Sequence, residues 1–205
     1  MRIVIFAKAP LAGFAKTRLI PKLGQQGAAD LAKTFLQHAV EQAMNAHLGP
    51  VELCVTPDIS QPIWETLCLP HGIDWCEQGE GDLGERLSRA AHRVISNDES
   101  VMLMGTDCPA LDSKYLQMAA TSMLAKDTSM VPVSDGGYAL LGLNKYEPSL
   151  FSDIPWSTNA VAKLTKQRIA LLAWTLAELS ELNDIDEPGD LQWLPESMKK
   201  EFSKK

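Results

Sequence analysis

Basic residues are in deficit. The chain of 205 residues carries 19 Lys+Arg against 26 Asp+Glu, a formal charge of −7. Nucleic acids and anionic membranes are gripped by broad basic surfaces, so neither is an expected partner. Cysteine is scarce as well: Cys54, Cys68, Cys76 and Cys108 form no C-x-x-C pair, and the four His are scattered. That pattern signals neither a zinc site nor a disulfide framework, and free thiols suit a reducing compartment, so a cytoplasmic location is expected. No stretch approaches the roughly 20 apolar residues of a membrane span. The apolar opening from Met1 to Phe6 is broken by Lys8 and Pro10, too early for a signal peptide. Internal repeats, low-complexity tracts and linkers are also lacking.

What remains is an ordinary globular composition, 45% hydrophobic and 22% charged. A domain of this length buries about 70% of its unfolded-chain surface, enough for a core without metal or disulfide support. One domain is expected over residues 1–195, followed by a tail at 196–205 that reads as a frayed surface helix. Residues 2–7 and 101–105 are almost continuously apolar, as central parallel strands covered on both faces must be. Residues 51–56, 130–133, 138–143 and 169–174 are further strand candidates, and 73–77 is a weaker one. Between them, Leu31, Phe35, Ala39, Val40 and Ala43 share one helical face, as do Leu83, Leu87, Ala90, Ala91, Val94 and Ile95. Leu116, Ala119, Ala120, Met123 and Leu124 make a third such face, with Asp112 as its N-cap. Strand–helix alternation of this kind predicts an α/β class: a single-domain, three-layer α/β/α, Rossmann-like architecture with a mostly parallel mixed sheet.

Ligands of such sheets bind outside the carboxyl ends of the strands, which selects a few loops. The loop after the first strand, AKAPLAGFAKTRL, offers Lys8, Lys16 and Arg18, the Thr17 hydroxyl and a hinge at Gly13. Mobile ammonium groups and a planar guanidinium suit a di- or triphosphate. The spacing from Gly13 to Lys16 excludes a P-loop. After the second apolar run comes Gly105-Thr106-Asp107-Cys108-Pro109. A carboxylate there must be exposed in a cleft, paired, or bound to a cation such as Mg²⁺. Asp184 and Asp186 flank Ile185 on one side of an extended segment; Asp186 is either a helix cap or a second metal ligand. Ser134-Asp135-Gly136-Gly137-Tyr138 is first of all a hairpin turn, and alternatively a place where a ligand approaches bare backbone while Asp135 acts on a hydroxyl. The Gly-rich segment 78–84 enters a helix, and its free N–H groups could hold a ribose or base edge; Arg86, Arg89 and Arg93 on that helix read as a solvated basic face. Trp156-Ser157-Thr158 precedes a helix beginning near Asn159, with Ser157 or Thr158 as its cap or Trp156 stacking on a substrate.

Taken in order, KAPLAGFAKTRLIPKLG, QGEGDLGERL, GTDCPAL, DGGYALLGL, PWST and DIDEPGDL resemble the motif series of a glycosyltransferase-A-like family of nucleotide-diphospho-sugar transferases, one branch of which makes arsenosugars. The first loop also resembles that of molybdenum-cofactor and 2-phospholactate guanylyltransferases. The resemblance spans residues 2–194. It implies a nucleotide site built from Ala7, Lys8, Pro10, Gly13, Lys16, Thr17, Arg18, Asp82 and Thr106, with Mg²⁺ or Mn²⁺ held by Asp107 and Asp186. Catalysis would involve Asp107 and Asp135, and the acceptor or sugar would meet Gly136, Gly137, Tyr138 and Trp156. The implied activity is metal-assisted glycosyl transfer from a nucleotide-diphosphate sugar to a small acceptor. Transfer of a nucleotidyl group from an NTP to a phosphorylated acceptor, and nucleotide binding without turnover, are the alternatives. Thr106-Asp107-Cys108 departs from the D-x-D of metal-dependent sugar transferases, and KAPLAG departs from the Gly-rich opening of nucleotidyltransferases. Oligomeric state is left open.

Overall fold

The structure, a computed structural model, describes residues 1–202. One seven-stranded sheet organises the chain: β1 (Arg2–Lys8), β2 (Val51–Thr56), β3 (Asp74–Glu77), β4 (Val101–Met104), β5 (Thr128–Pro132), β6 (Tyr138–Leu143) and β7 (Leu176–Glu178), in the order β3-β2-β1-β4-β6-β5-β7. Only β6 runs against the rest.

The continuous apolarity of β1 follows from its two buried faces. Ile3, Ile5 and Ala7 pack with Leu36, Val40 and Leu116 from α1 (Ile20–Asn45) and α3 (Ser113–Ser122). Val4 and Phe6 pack with Leu87, Ala91 and Ile169 from α2 (Leu83–Ile95) and α4 (Val161–Leu171). Two helices therefore cover each face, and the three-layer α/β/α expectation holds. Asp112 caps α3 as expected, accepting from the Tyr115 amide at 3.0 Å.

Three expectations are corrected. Residues 169–174 are not a strand: Ile169 ends the buried stripe of α4 that begins at Val161 and Ala162, and the seventh strand comes later, at Leu176–Glu178. A short apolar run fits a helix end as well as a strand, and periodicity alone does not separate them. The arginine face of α2 is not merely solvated. Arg93 and Arg2 pair with Glu52, a carboxylate buried in β2, while Arg86 and Arg89 donate to carbonyls of the loop at 78–81. Nor is the C-terminal segment a loose surface helix as far as Phe202; residues 203–205 of the expected tail lie outside the described residues. In α5 (Glu196–Phe202), Met198 and Phe202 pack with Leu19, Leu31, Phe35 and Ile185 in a third apolar cluster.

Because β5 and β7 run parallel to β4, the turns leaving β1, β2, β3, β4, β5 and β7 all emerge on one edge of the sheet. Truncating Phe202 to Ala should therefore lower the unfolding free energy by about 3 kcal/mol, as for other buried aromatic groups. Denaturant unfolding measures it; a change under about 0.5 kcal/mol would place α5 outside the core.

Candidate active site

Past β1 the chain turns through Leu11, whose carbonyl accepts from the amides of Phe14 and Ala15 at 3.0 and 3.1 Å. Lys16 then adopts the left-handed region, φ 48° and ψ 44°, which is unfavourable for a residue with a Cβ. That backbone turn sends its side chain inward, where only 6% remains exposed. The ammonium donates to Asp186 Oδ1 at 2.8 Å and to the Ile185 carbonyl at 2.6 Å, and it pairs with Asp107 Oδ1 at 2.6 Å. Three oxygens thus surround its nitrogen. Lys8 lies 3.9 Å over the Phe14 ring, a cation–π contact that holds its charge beside the same loop.

The two carboxylates reach Lys16 from distant parts of the sequence, and main-chain bonds fix their separation. The Ile185 amide donates to the Asp107 carbonyl at 2.9 Å, and the Cys108 thiol donates to the Asn183 carbonyl at 3.4 Å. Ile185 is fully buried under α1 in the third cluster, which pins the loop between Asp184 and Asp186. The capping question at Asp186 is settled by its neighbours. Asp190 Oδ2 accepts from the amides of Asp186 and Glu187, and Glu187 opens the following 3₁₀ helix, so the Asp186 carboxylate is free for Lys16.

Two cavities open at this edge. The larger, about 690 Å³, is lined by Lys8, Phe14, Lys16, Thr17, Arg18, Gln78 and Arg86. The other, about 390 Å³, is lined by Val133, Asp135, Gly137, Tyr138, Trp156 and Asp184. Arg18, Thr106, Asp107, Ser157 and Asp186 line both, so the cavities meet at the carboxylate pair. Among the described residues, the larger cavity gathers four cations. The smaller carries four carboxylates (Asp107, Asp135, Asp184 and Asp186) and the single cation Arg18.

This charge separation shows in the proton affinities. Burial works to strip the proton from Lys16, but the charges of Asp107 and Asp186 outweigh it and hold the group above the ordinary lysine value. Asp184 is pushed up to about 6, first by burial and then by the charges of Asp135, Asp186 and Asp190. Burial likewise raises Cys108 to about 11, so its thiol is protonated at neutral pH and is a poor nucleophile.

Of the residues singled out from sequence, Lys8, Lys16, Thr17, Arg18, Thr106, Asp107, Asp135, Gly137, Tyr138, Trp156 and Asp186 line the paired cavities. Others do not. Asp82 spends its carboxylate in a capping box with Glu85, accepting from the Glu85 amide at 2.9 Å. Ala7 and Pro10 are buried, and Ala7 contributes through its carbonyl, which accepts from Gln78 at 3.2 Å. Gly13, at φ 78°, contributes a bend, and Gly136, at φ 90°, lies against the backbone of Asn159. Asp135 does close the hairpin, accepting from the Gly137 amide at 2.7 Å, while it also lines the smaller cavity. Neither Ser157 nor Thr158 is the N-cap of α4; that position is Ala160. Sequence reasoning missed Phe14, Arg86 and Ser157 as lining residues; the Gly-rich run at 78–84, read as a place for a ribose or base edge, contributes Gln78 to the larger cavity.

The family model of DUF2064, an uncharacterized protein conserved in bacteria, matches residues 26–158, well over half the chain. The chain belongs to the DUF2064 family. No curated protein matches it. Among solved structures, this DUF2064 chain is similar to a protein of Desulfovibrio desulfuricans G20 provisionally named a nucleotide-diphospho-sugar transferase. The two are 28% identical, with a TM-score of 0.88, over 97% of this chain and 87% of that one. It shares its fold with CMP:2-keto-3-deoxy-manno-octonic acid synthetase in complex with CTP, at 14% identity and a TM-score of 0.60 over 97% and 98% of the two chains. The same fold occurs in Rv0371c of Mycobacterium tuberculosis in complex with manganese, at 16% identity and a TM-score of 0.50 over 93% and 96%. Among the described residues no helix is long and apolar enough to cross a membrane.

The raised Asp184 carboxyl gives a pH-dependent consequence. A carboxyl that holds its proton more tightly folded than unfolded costs stability once it ionises, so the cost grows as pH rises from about 4 through about 6. Asp184→Asn should therefore stabilise the protein at pH 7.5 by about 1 kcal/mol, solvent screening included, and should have little effect at pH 4. Denaturant unfolding at both pH values checks this; equal effects at both would contradict it.

Proposed function

We propose that this DUF2064 protein is a nucleotide-sugar-dependent glycosyltransferase, with the donor diphosphate in the larger cavity and a small acceptor in the smaller one. One observation carries the reading: cations and carboxylates are sorted into adjoining cavities that meet at Asp107 and Asp186. A diphosphate fits a pocket holding Lys8, Lys16, Arg18 and Arg86, and Phe14 offers an apolar surface beside it. The motif resemblance to nucleotide-diphospho-sugar transferases favours the same donor class.

Among the described residues no three His, Cys, Asp or Glu side chains are grouped to hold a metal. Asp107, Asp186 and the Ile185 carbonyl nonetheless present three hard oxygens around one point, a donor set that fits Mg²⁺ or Mn²⁺. Bound there, the ion would neutralise charge on the diphosphate.

The chain's own residues account for the rest. As the bond from the sugar anomeric carbon to the phosphate oxygen breaks, negative charge grows on the nucleoside diphosphate. Arg18, at the junction, and Lys8 stand where that charge develops, and preorganised cations stabilise it more in the transition state than in the ground state. A hydroxyl of the acceptor forms the new bond to the anomeric carbon, and its proton passes to a carboxylate of the smaller cavity, Asp135 in this reading.

Nucleotidyl transfer is the second reading, favoured by the fold shared with a CTP-bound synthetase. It needs an anionic, phosphorylated acceptor in a cavity with four carboxylates and one guanidinium, which like-charge repulsion opposes. A neutral or cationic polyol suits that cavity better.

Two measurements separate these readings. In a thermal-shift panel, nucleotide-sugars with Mn²⁺ should raise Tm more than the corresponding NTPs; a ligand at 100 times its Kd adds about 2.7 kcal/mol. A panel without any shift would remove the nucleotide site. With the donor identified, Asp107→Asn should lose about 10²–10³ in turnover while remaining folded. Full activity in that variant, or pyrophosphate release from an NTP, would overturn glycosyl transfer.

A further inference from the structure

The point where a divalent ion would sit already has an occupant. The Lys16 ammonium already sits against the oxygens that would ligate the metal, donating to Asp186 Oδ1 and the Ile185 carbonyl and pairing with Asp107 Oδ1, all at 2.6–2.8 Å. Mg²⁺ lies about 2.0–2.1 Å from its oxygen ligands, so an ion bound to these atoms would overlap the ammonium nitrogen. Two cations also repel strongly at such a separation. Metal and lysine cannot share these three oxygens.

We propose that Lys16 and the divalent cation are alternative occupants of one locus, so that the metal enters as Lys16 swings out, a move that the phosphates of a bound nucleotide favour by receiving the ammonium. The inference rests on the donor site proposed above. The structure equips Lys16 for the movement. Its backbone is held in the left-handed region, so nothing in local conformational preference favours the inward position; the ion pairs supply it. Gly13, three residues earlier and exposed at φ 78°, gives the loop a bend that tolerates reorientation. The destination is also present, because Lys16 lines the larger cavity together with Lys8, Arg18 and Arg86. Without phosphate, the three cations already there would repel an incoming ammonium. A diphosphate reverses that balance and frees the carboxylates for the metal. Lys16 is thus a positioning residue that couples metal binding to nucleotide binding, and by linkage each ligand strengthens the other equally.

The test uses the intact protein, Mn²⁺ and inorganic pyrophosphate, the part common to nucleotide-sugar and NTP. Mn²⁺ binding is read from the electron paramagnetic resonance signal of the free ion. For the wild type, pyrophosphate should tighten Mn²⁺ binding by tenfold or more beyond what Mn²⁺–pyrophosphate complexation in solution accounts for. Lys16→Met should bind Mn²⁺ alone at least tenfold more tightly than wild type, and Asp107→Asn should lose that binding. A Lys16→Met variant that is folded by circular dichroism yet binds Mn²⁺ no better than wild type would overturn the exchange. So would Mn²⁺ binding that survives Asp107→Asn undiminished.

A second readout needs no variant. Acetylation of Lys16 by a water-soluble active ester, followed by mass spectrometry, should be slow in the free protein and several-fold faster at saturating Mn²⁺. Unchanged reactivity would refute displacement even if Lys16→Met fails to fold. Failure of the glycosyltransferase reading looks different: the exchange would be measurable while no nucleotide-sugar is turned over.

Discussion

A lysine ammonium withdrawn from water is stable only where anions surround it, and removing one partner of such a cluster typically costs about 3–5 kcal/mol. Lys16 is in this position, with 6% of its side chain exposed and three oxygens around its nitrogen. The cluster joins the loop after β1, the loop after β4 and the segment that follows β7, elements with no local reason to meet. Its oxygens come from residues as far as 170 positions away along the chain, so the contact is a product of sheet topology. Six strands pointing their carboxyl ends at one edge bring the anions and the cation together. The Ile185 amide on the Asp107 carbonyl and the buried Ile185 side chain keep them in place.

From this cluster the charge divides. On one side lie Lys8, Arg18 and Arg86 with the Phe14 ring; on the other lie Asp135 and Asp184 with Tyr138 and Trp156. A cavity of cations next to a cavity of carboxylates suits two substrates of unlike charge whose reacting ends meet at the boundary. The fold alone does not dictate this, since proteins sharing it differ in what they bind. The distribution of side chains around Asp107 does the discriminating, and it disfavours an anionic acceptor more clearly than it specifies a particular neutral one.

Much of this was legible in the sequence because the signals were local. Uninterrupted apolarity at residues 2–7 and 101–105 marked central parallel strands, and the loops that follow them supplied Lys16, Arg18 and Asp107. Information was lost where tertiary contacts decided the outcome. Ile169 through Leu172 is apolar enough for a strand, and packing of α4 under the sheet made most of it helix. Arg86, Arg89 and Arg93 share a helical face in any reading, but only the path of the neighbouring loop and the buried Glu52 show what they hold. The acidic-rich DIDEPGD segment offered several capping candidates. Its division of labour, with Asp190 capping and Asp186 facing Lys16, depends on a loop docking against α1.

The proposal that phosphate-binding cations and a metal-holding carboxylate pair converge on one crevice is tested most directly by anomalous diffraction from crystals of the protein soaked with Mn²⁺ and pyrophosphate. The expected map has a single strong manganese peak between Asp107 and Asp186, with pyrophosphate against Arg18 and Lys8 and the Lys16 ammonium moved onto a phosphate oxygen. Manganese or pyrophosphate bound elsewhere, with Lys16 still seated on the two carboxylates, would contradict the account.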